Sequence, residues 1–244
     1  MILSLDLMIL GIVTLVYVLS ITIYAIILIA RYRKLKNKTL IYTGFSILGL
    51  ATAWAGVAMN FICIVFFDVM PSMELYFLVH GAYLPISNFF WVITVLSLSN
   101  KKSYVRKRIA IVSGIFYMLL EIIYVTIIFT DTTILGTPIN EIQVDYAPFS
   151  ELFLLYCLIM MTILGFWMAK QALKSSEKKI QLKGKLLLGS FILFAFSAVL
   201  EIMIPIIPII VLARILVIIC AFLFYGGLVL PKWMEKLFLR KNES

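Results

Sequence analysis

The chain has 244 residues, 64% of them apolar and 14% charged, with a formal net charge of +9 and a mean hydropathy of +1.11. A soluble domain is nearer half apolar, so this composition excludes one and predicts an all-α integral membrane protein whose spans each need roughly 20 apolar residues. Nor does the charge point to nucleic acid, because 20 of the 21 Lys and Arg residues gather in four clusters beside apolar runs, where they meet lipid headgroups.

The clusters are Arg31 to Lys38, Lys101 to Arg108, Lys170 to Lys185 and Lys232 to Lys241. Two apolar stretches separate each from the next, and the short segments between those stretches carry Asp68 and Glu74, then Asp131, Glu141, Asp145 and Glu151. Basic flanks are retained in the cytoplasm, so the alternation predicts a bundle of seven transmembrane helices in the cell membrane, amino terminus outside and carboxyl terminus cytoplasmic. The spans are expected at about 7–30, 40–66, 73–98, 109–129, 150–169, 186–204 and 208–230, as a single domain over residues 1–244.

Span 1 follows a segment without basic residues and lacks a small-residue cleavage site before Arg31, so it reads as a retained helix rather than a signal peptide. Span 2 holds Gly49, Ala51, Ala53, Ala55, Gly56 and Ala58, small residues that let neighbouring backbones approach closely. In span 3, Pro85 removes a backbone donor and predicts a kink. After span 4, Thr132–Leu135 and Glu141–Tyr146 flank the turn-rich Gly136-Thr137-Pro138-Ile139-Asn140, which predicts a short extracellular β-hairpin before span 5. Spans 6 and 7 are joined through Pro205 and Pro208 and are expected to form a tight antiparallel pair. Beyond them Pro231-Lys232-Trp233 opens an amphipathic tail that runs to Ser244, where an interfacial Trp sits beside basic anchors. Cys63, Cys157 and Cys220 fall inside spans without metal-ligand spacing and read as packing residues.

Ionisable groups in hydrocarbon are costly and mark candidate sites. There are four: His80, Glu121, Glu201 and Arg214. At a rise of about 1.5 Å per residue His80 lies on the order of 9 Å below the outer face. Glu201 precedes Pro205 by four residues and Arg214 follows Pro208 by six, which puts both in the outer half at similar depth. An ion pair between them is easy to form, and it is either a structural pair or one poised to open when an anionic ligand takes the Arg or a proton takes the Glu. Helical spacing aligns Ser190, Ser197 and Glu201 on one face, and Tyr117, Glu121 and Tyr124 on another. It also aligns His80, Ser87 or Asn88, and Trp91, with Asn60 near the outer end of span 2. These faces predict either a polar, aromatic ligand cavity in the outer half or a hydrogen-bond network that fixes packing.

Several activities lack their residues. Ile209 to Leu230 contains no Lys for a retinal Schiff base, His80 is the only His available for a zinc site, and no Gly-x-Ser-x-Gly setting appears. No enzyme, metal or cofactor is expected.

Ala213-Arg214-Ile215-Leu216 with Phe224-Tyr225-Gly226-Gly227-Leu228-Val229-Leu230-Pro231-Lys232-Trp233, and Gly136 with Val144-Asp145-Tyr146, carry a resemblance. With the seven-span pattern, the chain resembles the amino-terminal seven-helix sensor regions of prokaryotic membrane histidine kinases and related stand-alone archaeal membrane proteins. The resemblance implies that the bundle senses a ligand or a membrane state and passes the signal through its last helix. The fourteen residues from Pro231 to Ser244 are too few for a kinase, so the expected output is a separate cytoplasmic effector or a homo-oligomer. The expected function is a sensor that binds a small anionic ligand or responds to protons, with membrane lipids as its surroundings. The alternatives are a solute or ion transporter that uses the intramembrane carboxylates, and a non-catalytic assembly protein.

Overall fold

The computed structural model describes residues 3–99, 101–204 and 206–239. Among the described residues, seven helical stretches are long and apolar enough to cross a membrane: Leu5–Leu35, Lys38–Phe67, Met73–Leu98, Ser103–Thr130, Pro148–Leu173, Lys178–Glu201 and Ile207–Val229. Helices α1 (Leu5–Leu35) and α2 (Lys38–Phe67) correspond to the first two. The third stretch is two helices, α3 (Met73–Gly81) and α4 (Leu84–Leu98), followed by α5 (Ser103–Thr130), α6 (Pro148–Leu173), α7 (Lys178–Met203), α8 (Ile207–Val229) and a short α9 (Lys232–Leu239).

The basic clusters extend several helices beyond the apolar runs. α5 begins at Ser103 and α7 at Lys178, rather than at 109 and 186, because Lys and Arg are good helix formers whose heads reach water past an apolar stem. Local caps set other ends. The Ser4 hydroxyl accepts from the Leu7 N–H at 3.4 Å, and the Ser72 hydroxyl accepts from that of Leu75 at 3.4 Å. The expected kink in span 3 is instead a break over residues 82–83, and Pro85 falls in the first turn of α4, where its missing N–H would have had no intrahelical partner.

The chain divides into two compact units, Met1–Met160 and Met161–Ser244. In the first, α1 and α2 run antiparallel. A Cβ on Gly11 would collide with the Phe61 ring, and the Tyr17 hydroxyl donates to the Leu50 carbonyl at 3.0 Å. A ladder of hydroxyls joins α2 to α4: Thr39 to Ser97 at 3.1 Å, Thr43 to Thr94 at 3.4 Å, and Tyr83 to the Phe45 carbonyl at 3.0 Å. On the same seam Gly49 lies so close to Ser87 that a Cβ would overlap its side chain. This is the close approach that small residues in span 2 allow.

The segment after α5 departs from expectation in register. Thr132–Ile134 forms a 3-10 turn rather than a strand, and the two strands are β1 (Gly136–Pro138) and β2 (Val144–Tyr146), paired antiparallel with Gly136 opposite Tyr146. The Asp131 carboxylate favours the turn by accepting from the Thr133 hydroxyl at 2.6 Å and its N–H at 2.9 Å. The side-chain bond first, then the backbone bond, holds the Asp131 carboxyl below its ordinary value. Gly136 has φ +156° and a Cβ there would strike the Asp145 carbonyl, so only glycine fits this end of the ladder.

In the second unit α7 and α8 pair antiparallel. The Cys220 thiol donates to the Ser190 carbonyl at 3.1 Å, and the Phe191 and Phe224 rings meet edge-on at 5.1 Å. Gly165, near the end of α6, leaves room for the Phe191 ring. Leu230, in a left-handed conformation at φ 44°, ends α8 and turns the chain into α9. There Leu182, Leu186, Leu230 and Met234 form a small apolar core, and Met234 fits the space left by Gly226. Pro205, expected in the turn between spans 6 and 7, and the tail beyond Leu239 lie outside the described residues. Cys63, Cys157 and Cys220 are free thiols.

Candidate functional site

The residues singled out from the sequence divide between the units. Arg214 and Glu201 belong to the second, while Asn60, His80, Asn88, Trp91, Tyr117, Glu121 and Tyr124 belong to the first.

Arg214 lies two turns into α8 and Glu201 in the last turn of α7, so antiparallel pairing brings them level. Arg214 Nη1 donates to Glu201 Oε2 at 2.6 Å and Nη2 donates to Oε1 at 2.6 Å. This fork-on-fork geometry is the strongest pairing open to a guanidinium and a carboxylate. The side chain of Arg214 is 4% exposed and that of Glu201 26%. The cation is thus held by protein, and its partner carboxylate is the more accessible half. On the same face of α7, Ser190 and Ser197 are buried, but their hydroxyls donate back to the Leu187 and Leu193 carbonyls at 2.7 Å.

In the first unit the expected alignment of His80 with Asn88 and Trp91 is interrupted by the break between α3 and α4. The His80 ring neighbours two tyrosines, Tyr76 at 5.6 Å and Tyr146 at 5.1 Å between centroids, each near-parallel to it. The Tyr76 and Tyr146 hydroxyls are 3.2 Å apart, and Tyr146 Oη is 3.5 Å from His80 Nδ1. Thus β2 reaches down onto α3. Asn60 Nδ2 points toward the Glu141 carbonyl at 3.5 Å, a second tie between a span and the same connecting segment. Asn88, beyond the break, donates to the Leu84 carbonyl of its own helix at 3.1 Å, and Trp91 is fully buried.

On α5, Tyr117, Glu121 and Tyr124 do share a face. Tyr117 accepts from the Tyr156 hydroxyl at 3.3 Å, and the Tyr124 ring stacks on Phe153 at 4.6 Å. Between these contacts Glu121 Oε2 is buried without a hydrogen-bond partner among the described residues. The carbonyl oxygens of Asn60 and Asn88 are in the same condition. Among the described residues no group of His, Cys, Asp or Glu is placed to hold a metal ion.

Sequence reasoning missed Tyr76, Tyr146, Phe153 and Tyr156 as partners. Tyr76 was within reach, since it precedes His80 by four residues and so shares its face. Tyr146 lies 66 residues from His80, and no spacing rule connects them.

Comparison with protein-family models, curated proteins and solved structures finds no match.

Proposed function

We propose that the chain is a seven-helix receptor of the cell membrane, amino terminus outside, in which Arg214 receives a small anionic ligand in competition with Glu201. A single observation carries this reading: a bidentate ion pair between two helices of membrane-spanning length, its Arg buried and its Glu partly exposed. A carboxylate or phosphate offers the same two-oxygen geometry and can take over the guanidinium as the Glu201 carboxylate swings away or gains a proton. The exchange loosens α8 from α7. The loosening is felt at the far end of α8, where Leu230 turns into α9 and Glu235 is held by Lys179 at 2.7 Å. Output to a separate cytoplasmic effector, or through a second copy of the chain, follows from movement at that end.

The test is a thermal-stability screen of the detergent-purified protein against anionic and aromatic metabolites, with Arg214→Ala and Arg214→Lys in parallel. A ligand that raises the melting temperature of wild type, less of the Lys variant and not of the Ala variant supports the receptor. A flat screen with a strongly destabilised Ala variant makes the pair structural.

A second reading is favoured by one observation, the buried and unpartnered Oε2 of Glu121. A carboxyl in that setting suits a proton carrier in a solute or ion transporter. Uptake by proteoliposomes that is lost in Glu121→Gln would favour transport, because a receptor binds without flux.

A further inference from the structure

The receptor reading uses α9 only through the Leu230 turn and the Glu235 contact, and the exposed apolar side of this helix has no role in either reading. Its eight residues place Trp233, Leu237, Met234 and Phe238 on one arc and Glu235, Leu239, Lys232 and Lys236 on the other. Met234, within the apolar arc, is fully buried in the core with Leu182, Leu186 and Leu230. The residues on either side of it are open: Trp233 is 52% exposed and Leu237 61% on one side, and Phe238 45% on the other. Such rings and branched chains facing bulk water would lose the transfer free energy that the buried side gains.

What covers that side is indicated by its neighbours. The Trp233 ring lies 5.7 Å from that of Phe222, an exposed residue of α8. Phe222 belongs to the apolar outer wall of a helix long enough to span a membrane and lies two turns before its end, so the Trp233 ring folds back against that wall. The charge on the remaining arc is positive where it is free to meet headgroups. Lys232 and Lys236 are exposed, while Glu235 is turned to Lys179 at 2.7 Å.

We infer that α9 is an in-plane surface helix that seats its Trp233–Leu237 side in the headgroup boundary of an anionic phospholipid leaflet, with Lys232 and Lys236 against the phosphates. An amphipathic helix with Trp and Leu on one face and Lys on the other binds such an interface by apolar burial and by attraction to anionic lipid. The inference requires that the chain lies in a bilayer. It does not require the Arg214 site or a particular orientation, because a nanodisc offers the same lipid on both faces.

The full-length protein is reconstituted in nanodiscs of phosphatidylcholine alone or with about one third phosphatidylglycerol, and the emission of Trp233 is taken as wild type minus Trp233→Phe. Lipids brominated near the carbonyl should quench this component more than lipids brominated near the chain terminus. Amide exchange of α9 should slow on adding phosphatidylglycerol, by on the order of tenfold for two lysines. Lys232→Gln with Lys236→Gln should remove that dependence while the buried Met234 keeps the helix in place. Three results would overturn the inference: no quenching by bromine at either depth, exchange indifferent to phosphatidylglycerol, or protection that varies with the number of protein copies per disc. The last would assign the surface to a second copy.

Discussion

Arg214 and Glu201 stand opposite one another across two antiparallel helices, joined by two parallel hydrogen bonds of 2.6 Å each. Removing one partner strands the other as an uncompensated charge, whereas removing both leaves an apolar seam. Glu201→Gln should therefore destabilise by about 2 kcal/mol, at the lower end for such pairs because the carboxylate keeps some exposure, and Glu201→Leu with Arg214→Leu should recover most of it. A double-mutant cycle by chemical unfolding in detergent measures the coupling, and additive losses would remove the pair from any account of stability.

The seam between α2 and α4 makes a steric prediction. A Cβ at Gly49 meets the side chain of Ser87, with no room to turn aside inside two packed helices. Gly49→Ala should cost about 1 to 3 kcal/mol, and Ser87→Gly should restore stability in the double variant by vacating the same space. Thermal melting of the four proteins decides it. Failure of Ser87→Gly to rescue would mean that the helices separate rather than clash.

At the β1–β2 ladder, Gly136→Ala combines a backbone conformation that L-residues avoid with a collision against the Asp145 carbonyl. The expected loss is on the order of 1 to 3 kcal/mol of local stability. Because Tyr146 pairs with Gly136 and stacks on His80, the loss should register as faster amide exchange in β2 and altered ring shifts of His80 by NMR. Unchanged His80 signals would show that the stack stands without the ladder.

Asp131 gives the pH prediction. Its carboxyl is held below the ordinary value, first by the Thr133 hydroxyl and then by the Thr133 N–H. A depressed carboxyl contributes its stability above the unfolded-state value and loses it as pH falls through the folded-state value. The turn Thr132–Ile134 should thus be indifferent to pH from 8 to about 5 and loosen only at lower pH. Carboxyl NMR should show Thr133→Val moving the Asp131 midpoint upward, though not fully, since the N–H bond remains.

Fold class and the number of membrane-length helices were legible because both depend on composition summed over some twenty residues, which no local contact overrides. The α7–α8 pair was legible for a similar reason: a short connection between two apolar runs leaves few alternatives to antiparallel packing, and offsets of four residues before Pro205 and six after Pro208 brought Glu201 and Arg214 to similar depth. Pro85 indicated that span 3 is interrupted but not where, since a proline is as well accommodated in a first turn as it is disruptive inside a helix. In the segment after α5, Thr132 and Thr133 have strand propensity, yet Asp131 offers a local carboxylate that captures Thr133 into a turn. The stack of Tyr76, His80 and Tyr146 joins elements far apart in the chain and left no periodic trace at Tyr146.

The interruption of span 3 has a mechanical side. A continuous helix behaves as a stiff rod, so a tilt imposed at one end reappears at the other. The pair α3 and α4 is two rods meeting at residues 82–83 and both packed on α2, α3 at Gly56 with a further tie to the ladder through Tyr76 and His80, α4 through a row of hydroxyls. A displacement of β2 should be taken up as rotation at that joint. The Thr39–Ser97 and Thr43–Thr94 contacts lie beyond the joint, so substitutions in β1 and β2 should leave them nearly untouched, whereas the Tyr83 bond to the Phe45 carbonyl, at the joint itself, should loosen.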